Sequence, residues 1–146
     1  MEKENYLKFS LNKNIDLKVG RENIKLQQIP VSEISHKDYC SLQPNFTVEQ
    51  SINTMIKSKK SESYLVDNNE KLLNKFELHQ LLGEKNKKKK ILQLHTSKFL
   101  KLYSETNIFE SIEKSKDFVG ESIPIVSKQN KIYGVISEGD LFQIFL

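Results

Sequence analysis

Apolar positions along this chain change period several times, and each change marks an element. Val48, Ile52, Met55 and Ile56 fall at the spacing of one helix face. Thr47 precedes them and Gln50 follows three residues after Thr47. That pair is a capping box, so a helix is predicted to start there. Tyr64-Leu65-Val66 then reads as a short apolar strand, and Asp67-Asn68-Asn69 suits a tight connection. Leu72-Leu73 opens a returning strand, and Leu78, Leu81 and Leu82 mark a closing helix. A further short strand is expected before the unit, near Tyr39–Leu42.

The same order returns sixty residues later. Residues 42–82 fall on 102–142 with no gap. Leu42 meets Leu102, Ile52 meets Ile112, Val66 meets Val126, and Leu81 meets Leu141. Asn107 and Glu110 take the capping positions, with Ile108 and Ile112 on the buried face. Ile123-Pro124-Ile125-Val126 is the first strand of this copy, and Ile132 to Ile136 is the second. Leu141, Phe142, Ile144 and Phe145 form its last helix, and a short strand is expected near Phe99–Leu102. A unit of roughly 50 residues buries too little surface to be comfortable alone. Two copies packed sheet to sheet would share a core.

The 146 residues therefore divide into a leader (1–28), a first unit (29–82), a lysine-rich link (83–95) and a second unit (96–146). Apolar residues make up 37% and charged residues 29%, the balance of a soluble globular chain. No apolar run approaches the roughly 18 residues a membrane span needs, and the start, MEKENYLKF, lacks the apolar core of a signal peptide. Cys40 is the single cysteine, which excludes an internal disulfide and fits a reducing compartment such as the cytoplasm. His36, His79 and His95 show no ligand spacing, so no metal is expected. The net charge of +4 gathers in GEKNKKKK, residues 83–90. That run is either a solvated loop or a patch for anionic lipid or phosphate. Nucleic acid is not expected, because no basic stripe carries interleaved aromatics. No P-loop, nucleophilic triad or carboxylate pair suggests turnover, so the chemistry reads as binding and not as an enzyme's.

One stretch carries more information than the rest. GVISEGDL, residues 134–141, places Gly134, Ser137 and Asp140 at three-residue spacing where a strand runs into a helix. Together with SIPIV at 122–126 and the gap-free repeat, it resembles the CBS domain, which occurs in tandem pairs. The resemblance implies an α+β fold of two CBS units, each roughly β-α-β-β-α, packed about a pseudo-twofold axis. Residues 6–31, with "NIDL" and the "GRE" of Gly20, Arg21 and Glu22, are similar to the segment that joins CBS pairs to the membrane part of ClC chloride channels and transporters. That likeness implies a cytoplasmic domain of a protein in the cell membrane, with a membrane-embedded channel domain in the same polypeptide as partner. A homodimer is the default for such symmetric modules.

CBS pairs commonly hold an adenine nucleotide (AMP, ADP or ATP) as regulatory ligand between the units. The family's Asp accepts the ribose hydroxyls and its Ser or Thr assists, which assigns these roles to Asp140 and Ser137. A carboxylate has the acceptor capacity for a diol. The same two residues also make a capping box, with Ser137 as N-cap and Asp140 at N3, and that needs no ligand. In the family the Asp of one unit works with strand edges of the other, which implies Tyr39, Lys60, Ser61 and Ser63. Tyr39 either packs on a base or is a core aromatic, and Lys60 either meets phosphate or is a surface lysine. Glu62 would repel phosphate if it pointed inward. The first copy has Asn74, Glu77 and Gln80 at the motif positions, so at most one working site is expected, built on Asp140.

Overall fold

A computed structural model describes residues 26–95 and 97–144. The leader motif at Gly20, Arg21 and Glu22, and Phe145 in the last helix, lie outside the described residues.

Each copy folds as one three-stranded sheet with two helices. In the first copy the order is β1 (Cys40–Leu42), α1 (Val48–Ser58), β2 (Glu62–Val66), β3 (Leu72–Glu77) and α2 (Leu78–Leu82). In the second it is β4 (Leu102–Tyr103), α3 (Ile108–Lys114), β5 (Ser122–Val126), β6 (Ile132–Ser137) and α4 (Glu138–Gln143). The sheet orders are β1-β2-β3 and β4-β5-β6. The first pair in each sheet is parallel and the second antiparallel. Both hairpins carry a register shift at equivalent places, Leu65/Val66 and Ile125/Val126. This is the α+β pair expected from the repeat.

The caps explain where the long helices start. Thr47 Oγ1 accepts from the Gln50 amide (3.2 Å) and Gln50 Oε1 accepts from the Thr47 amide (2.8 Å). Asn107 Oδ1 accepts from the Glu110 amide (2.7 Å), while Glu110 pairs with Lys114 (3.3 Å). Val48, Ile52 and Met55 are buried, but Ile56, expected on the same face, is 57% exposed. It sits at the edge of the apolar stripe, beyond the reach of the sheet. The two expected short strands are also trimmed: the first begins at Cys40, and the second covers only Leu102–Tyr103.

Packing couples the copies in two ways. First, each lends its neighbour the segment that precedes its own sheet. Val31 is fully buried in the core of the second unit, against Leu102, Ile108 and Ile136. Ile91, sixty positions on, is fully buried in the core of the first unit, against Leu42, Val48 and Phe76. The Val31 amide donates to Thr106 O (2.7 Å), and the Ile91 amide to Phe46 O (3.1 Å). Second, the sheets meet through Tyr64, Leu72, Val126 and Val135, a shared core. Leu72 donates to Asn130 O (2.9 Å) and Ile132 to Glu70 O (3.0 Å), a pair of bonds related by the same sixty-residue step. The lysine-rich stretch is part of this packing: the Val48 and Glu49 amides at the start of α1 donate to Lys89 O (2.8 Å) and Lys87 O (2.9 Å).

Candidate functional site

Strand β6 ends at Ser137 and helix α4 begins at the next residue. Ser137 Oγ accepts from the Asp140 amide (3.1 Å), and Asp140 Oδ2 accepts from the Ser137 amide (2.7 Å). The capping box is therefore formed. It holds the carboxylate of Asp140 still, part-exposed, facing a segment of the other unit.

Gly134 brings that segment in. A β-carbon at this position would lie 2.7 Å from His36 O, so only glycine lets residues 35–36 run against β6. His36 and Val135 then exchange both backbone hydrogen bonds (3.0 and 2.8 Å). The imidazole of His36 reaches Asp140, with Nε2 3.0 Å from Oδ2. Its Nδ1 accepts from the Asp38 amide (3.3 Å), so the neutral ring carries its proton on Nε2 and donates to Asp140.

Beside this pair a cleft of about 290 Å³ opens between the units. Tyr39 and Tyr64 form one wall, edge to face, with ring centroids 5.9 Å apart. Lys60 and Asp38 form an ion pair at the rim (2.9 Å), and this pairing lowers the Asp38 pKa through the Lys60 hydrogen bond and charge. Glu62 lies at the inner end, 7% exposed. Its carboxylate accepts from the Glu121 amide (3.0 Å), the Ser122 amide (2.9 Å) and Ser122 Oγ (2.9 Å). It also pairs with Lys75 Nζ (3.2 Å), which donates to Ser122 O (2.8 Å). Gly120, at φ +148°, makes the turn that aims those amides, and a β-carbon there would meet Phe118 and Glu62. Tyr64 Oη shares a hydrogen with Ser122 Oγ (2.5 Å). Burial pushes the Tyr64 phenol well above its usual range.

The structure thus brings together Ser137, Tyr39 and Lys60 in one cleft, with Asp140 joined to it through His36. It does not bring in Ser61 or Ser63. Alternation along β2 turns Glu62 and Tyr64 to the cleft and Ser63 into the core of its own unit. There Ser63 is fully buried and donates to Phe76 O (3.3 Å), while Ser61 is exposed. Glu62 points inward as feared, yet its charge is met by Lys75 and two amides. Sequence reasoning did not foresee His36, Asp38 or Tyr64. The repeat held a usable signal: positions 62 and 122 are equivalent, and equivalent positions meet across a twofold axis.

The second cleft lies at the pseudo-equivalent place, about 660 Å³, with Phe99 where the first has Tyr39. Glu77 and Gln80 replace Ser137 and Asp140, and Lys75 stands where the first cleft has Val135. The carboxylates lining it are those of Glu77 and Asp117, and Glu77, the N-cap of α2, makes no side-chain cap hydrogen bond of the Ser137–Asp140 kind.

Residues 91–146 match the family model of the CBS domain. The structure overlays that of a CBS domain pair/ACT domain protein, TM0892 of Thermotoga maritima, with a TM-score of 0.69 at 15% identity, over 80% of this chain and 95% of that one. The fold is that of a CBS domain pair. CBSX2 in complex with AMP also overlays this pair (TM-score 0.64, 16% identity, 80% of this chain and 95% of that one). So does the cytosolic domain of the Mg²⁺ channel MgtE in complex with ATP (TM-score 0.70, 14% identity, 82% of this chain). The present chain spans only half of that MgtE domain. No curated protein matches the chain by sequence. Such neighbours carry the fold of a CBS pair; they do not reproduce the likeness to ClC connectors. Among the described residues no helix is long and apolar enough to cross a membrane, and no His/Cys/Asp/Glu group is arranged to hold a metal ion.

Proposed function

We propose that this CBS pair is a regulatory module that binds an adenine nucleotide in the cleft beside Asp140 and passes the binding energy to an attached domain. The carrying observation is the Ser137–Asp140 corner, fixed by its own capping box at the side of a cleft walled by two tyrosines. Asp140 Oδ1 has no partner among the described residues, so one ribose hydroxyl donates to it while the other displaces His36 from Oδ2. Tyr39 offers an aromatic edge to the base and Lys60 a cation to a phosphate. A volume near 290 Å³ lies at the bottom of the roughly 300–1,000 Å³ range of small-molecule sites. Asp38 and Glu121 add negative charge beside it. Both facts favour a nucleoside or monophosphate over a triphosphate. The AMP and ATP complexes of CBSX2 and MgtE support the ligand class.

The module acts by binding, without turnover, and its differential affinity for two arrangements of the pair biases the attached domain. The likeness of residues 6–31 to ClC connectors makes a chloride channel or transporter the proposed attachment, with the module on its cytoplasmic side. Calorimetric titration with adenosine, AMP, ADP and ATP tests the site. AMP binding that weakens at least tenfold in Asp140→Ala supports it; equal binding by the variant, or none by the unaltered protein, refutes it. The coding sequence upstream of Met1 tests the attachment: a block of long apolar helices is expected.

A second reading is favoured by two observations. Asp140 Oδ2 is already engaged by the cap and by His36, and Ile56 and Leu82 stand exposed on α1 and α2 at 57% and 53%. Here the pair is a homodimer clamp without ligand. Sedimentation that gives the same dimer with and without AMP, in a protein that calorimetry shows not to bind it, selects this reading.

A further inference from the structure

We infer that the loop 83–90 is a preformed cationic surface that seats the module on an anionic lipid bilayer. The loop is tied down at both ends and in its middle. Its Lys87 and Lys89 carbonyls accept from the first two amides of α1 (2.9 and 2.8 Å). The Lys87 ammonium donates to Leu82 O (2.8 Å) at the C-terminal end of α2 and also bonds Glu84 O. Lys90 Nζ donates to Asn45 O (2.9 Å). Two of the five lysines are thus spent on the fold. The ammonium groups of Lys85, Lys88 and Lys89 make no ion pair or hydrogen bond among the described residues, although Glu49 and Glu84 lie close by along the chain and its bonds. Holding three unpaired cations on a fixed backbone leaves less entropy to lose on binding than a floppy tail would.

Two exposed leucines bracket the cations along the chain. Leu82, on the last residue of α2, is 53% exposed, and Leu92, just past the loop, is 56% exposed. Cations between exposed leucines fit a bilayer, where ammonium groups meet lipid phosphates and short apolar chains enter the acyl boundary. Nucleic acid fits less well, since no aromatic flanks the lysines to stack on bases. Neither cleft described above includes a residue of 83–90, and a lipid layer needs no groove.

The test is co-sedimentation of the full chain with vesicles of phosphatidylcholine alone and with one third phosphatidylserine. Binding to the serine-containing vesicles only, lost in high salt, is expected. Lys85→Gln/Lys88→Gln/Lys89→Gln should weaken it at least tenfold, since each lysine near such a surface contributes about fivefold. Leu82→Ser/Leu92→Ser should weaken it at least twofold at unchanged salt dependence. Thermal unfolding close to that of the unaltered protein confirms that the variants fold, because Lys87 and Lys90 are kept. Equal binding by the triple lysine variant, equal binding to neutral vesicles, or stronger retention by inorganic phosphate or a soluble acidic polypeptide than by vesicles would overturn the proposal.

Discussion

Asp140 holds one role in the structure, and the proposed function gives it a second. Its Oδ2 closes the cap of α4 and meets His36 in the structure described. A ribose would keep the cap and replace the histidine. Asp140→Asn keeps an acceptor for the cap, so it should unfold within about 1 kcal/mol of the unaltered protein, whereas its AMP affinity should drop severalfold; thermal melting and calorimetry separate the two. Cys40 is a simpler residue. It is 3% exposed and burial raises its thiol pKa, with a Ser58 hydrogen bond as a smaller opposing effect. A buried, protonated thiol is inert. Alkylation by iodoacetamide should be negligible in the folded protein and complete in urea, as mass spectrometry will show.

At the scale of elements, the twin copies supply each other's controls. Glu70 and Asn130 occupy equivalent turns with φ of +65° and +64°. Asn tolerates that left-handed region better than Glu. The Asn130 amide also donates to Leu72 O (2.8 Å). Glu70→Asn should therefore raise stability by about 0.5–1 kcal/mol, readable as a higher urea midpoint. Gly134→Ala should do the opposite. Its methyl would strike the His36 carbonyl at 2.7 Å, and backbone cannot rotate away. A loss of roughly 1–3 kcal/mol is expected, and the displaced His36 segment should reduce AMP binding as well. The glycine of the GVISEGDL motif thus has a packing reason, the close approach of residues 35–36. Sequence alone placed it in the motif without showing what it faces.

At the scale of the whole molecule, the interface between units carries a buried charge pair that breaks the symmetry. Glu62 and Lys75 are 7% and 9% exposed in their side chains and 3.2 Å apart. Their counterparts in the second copy are Ser122 and Val135. Lys75→Val should cost about 3–5 kcal/mol because it strands a buried carboxylate, and Glu62→Ser in the same chain should restore much of it. A double-mutant cycle in urea measures both. Buried Tyr64 and Cys40 and part-buried Tyr39 all have raised pKa values, each mainly through removal from water. Each is protonated in the folded state at a pH where the unfolded chain has ionised. Their contribution is complete below about pH 8.5 and is lost as pH rises through and beyond about 10. Denaturation midpoints should be level near neutrality and fall steeply on the alkaline side.

The repeat, the helix caps and the alternation of apolar residues were legible because they depend on neighbours a few positions apart. Helix starts at Thr47 and Asn107, the two sheets and the Ser137–Asp140 corner all follow from such local rules. Ile56 misled because helical spacing defines a face and not how far the opposing sheet extends. What only the tertiary structure decided is which groups meet across the pseudo-twofold axis. His36 reaches Asp140 over 104 residues, Glu62 reaches Ser122 over 60, and Val31 and Ile91 trade cores. Local sequence encodes the shape of each unit. The cleft between the units is made by their relative placement, which depends on the summed packing of two surfaces and leaves no short-range pattern in either one.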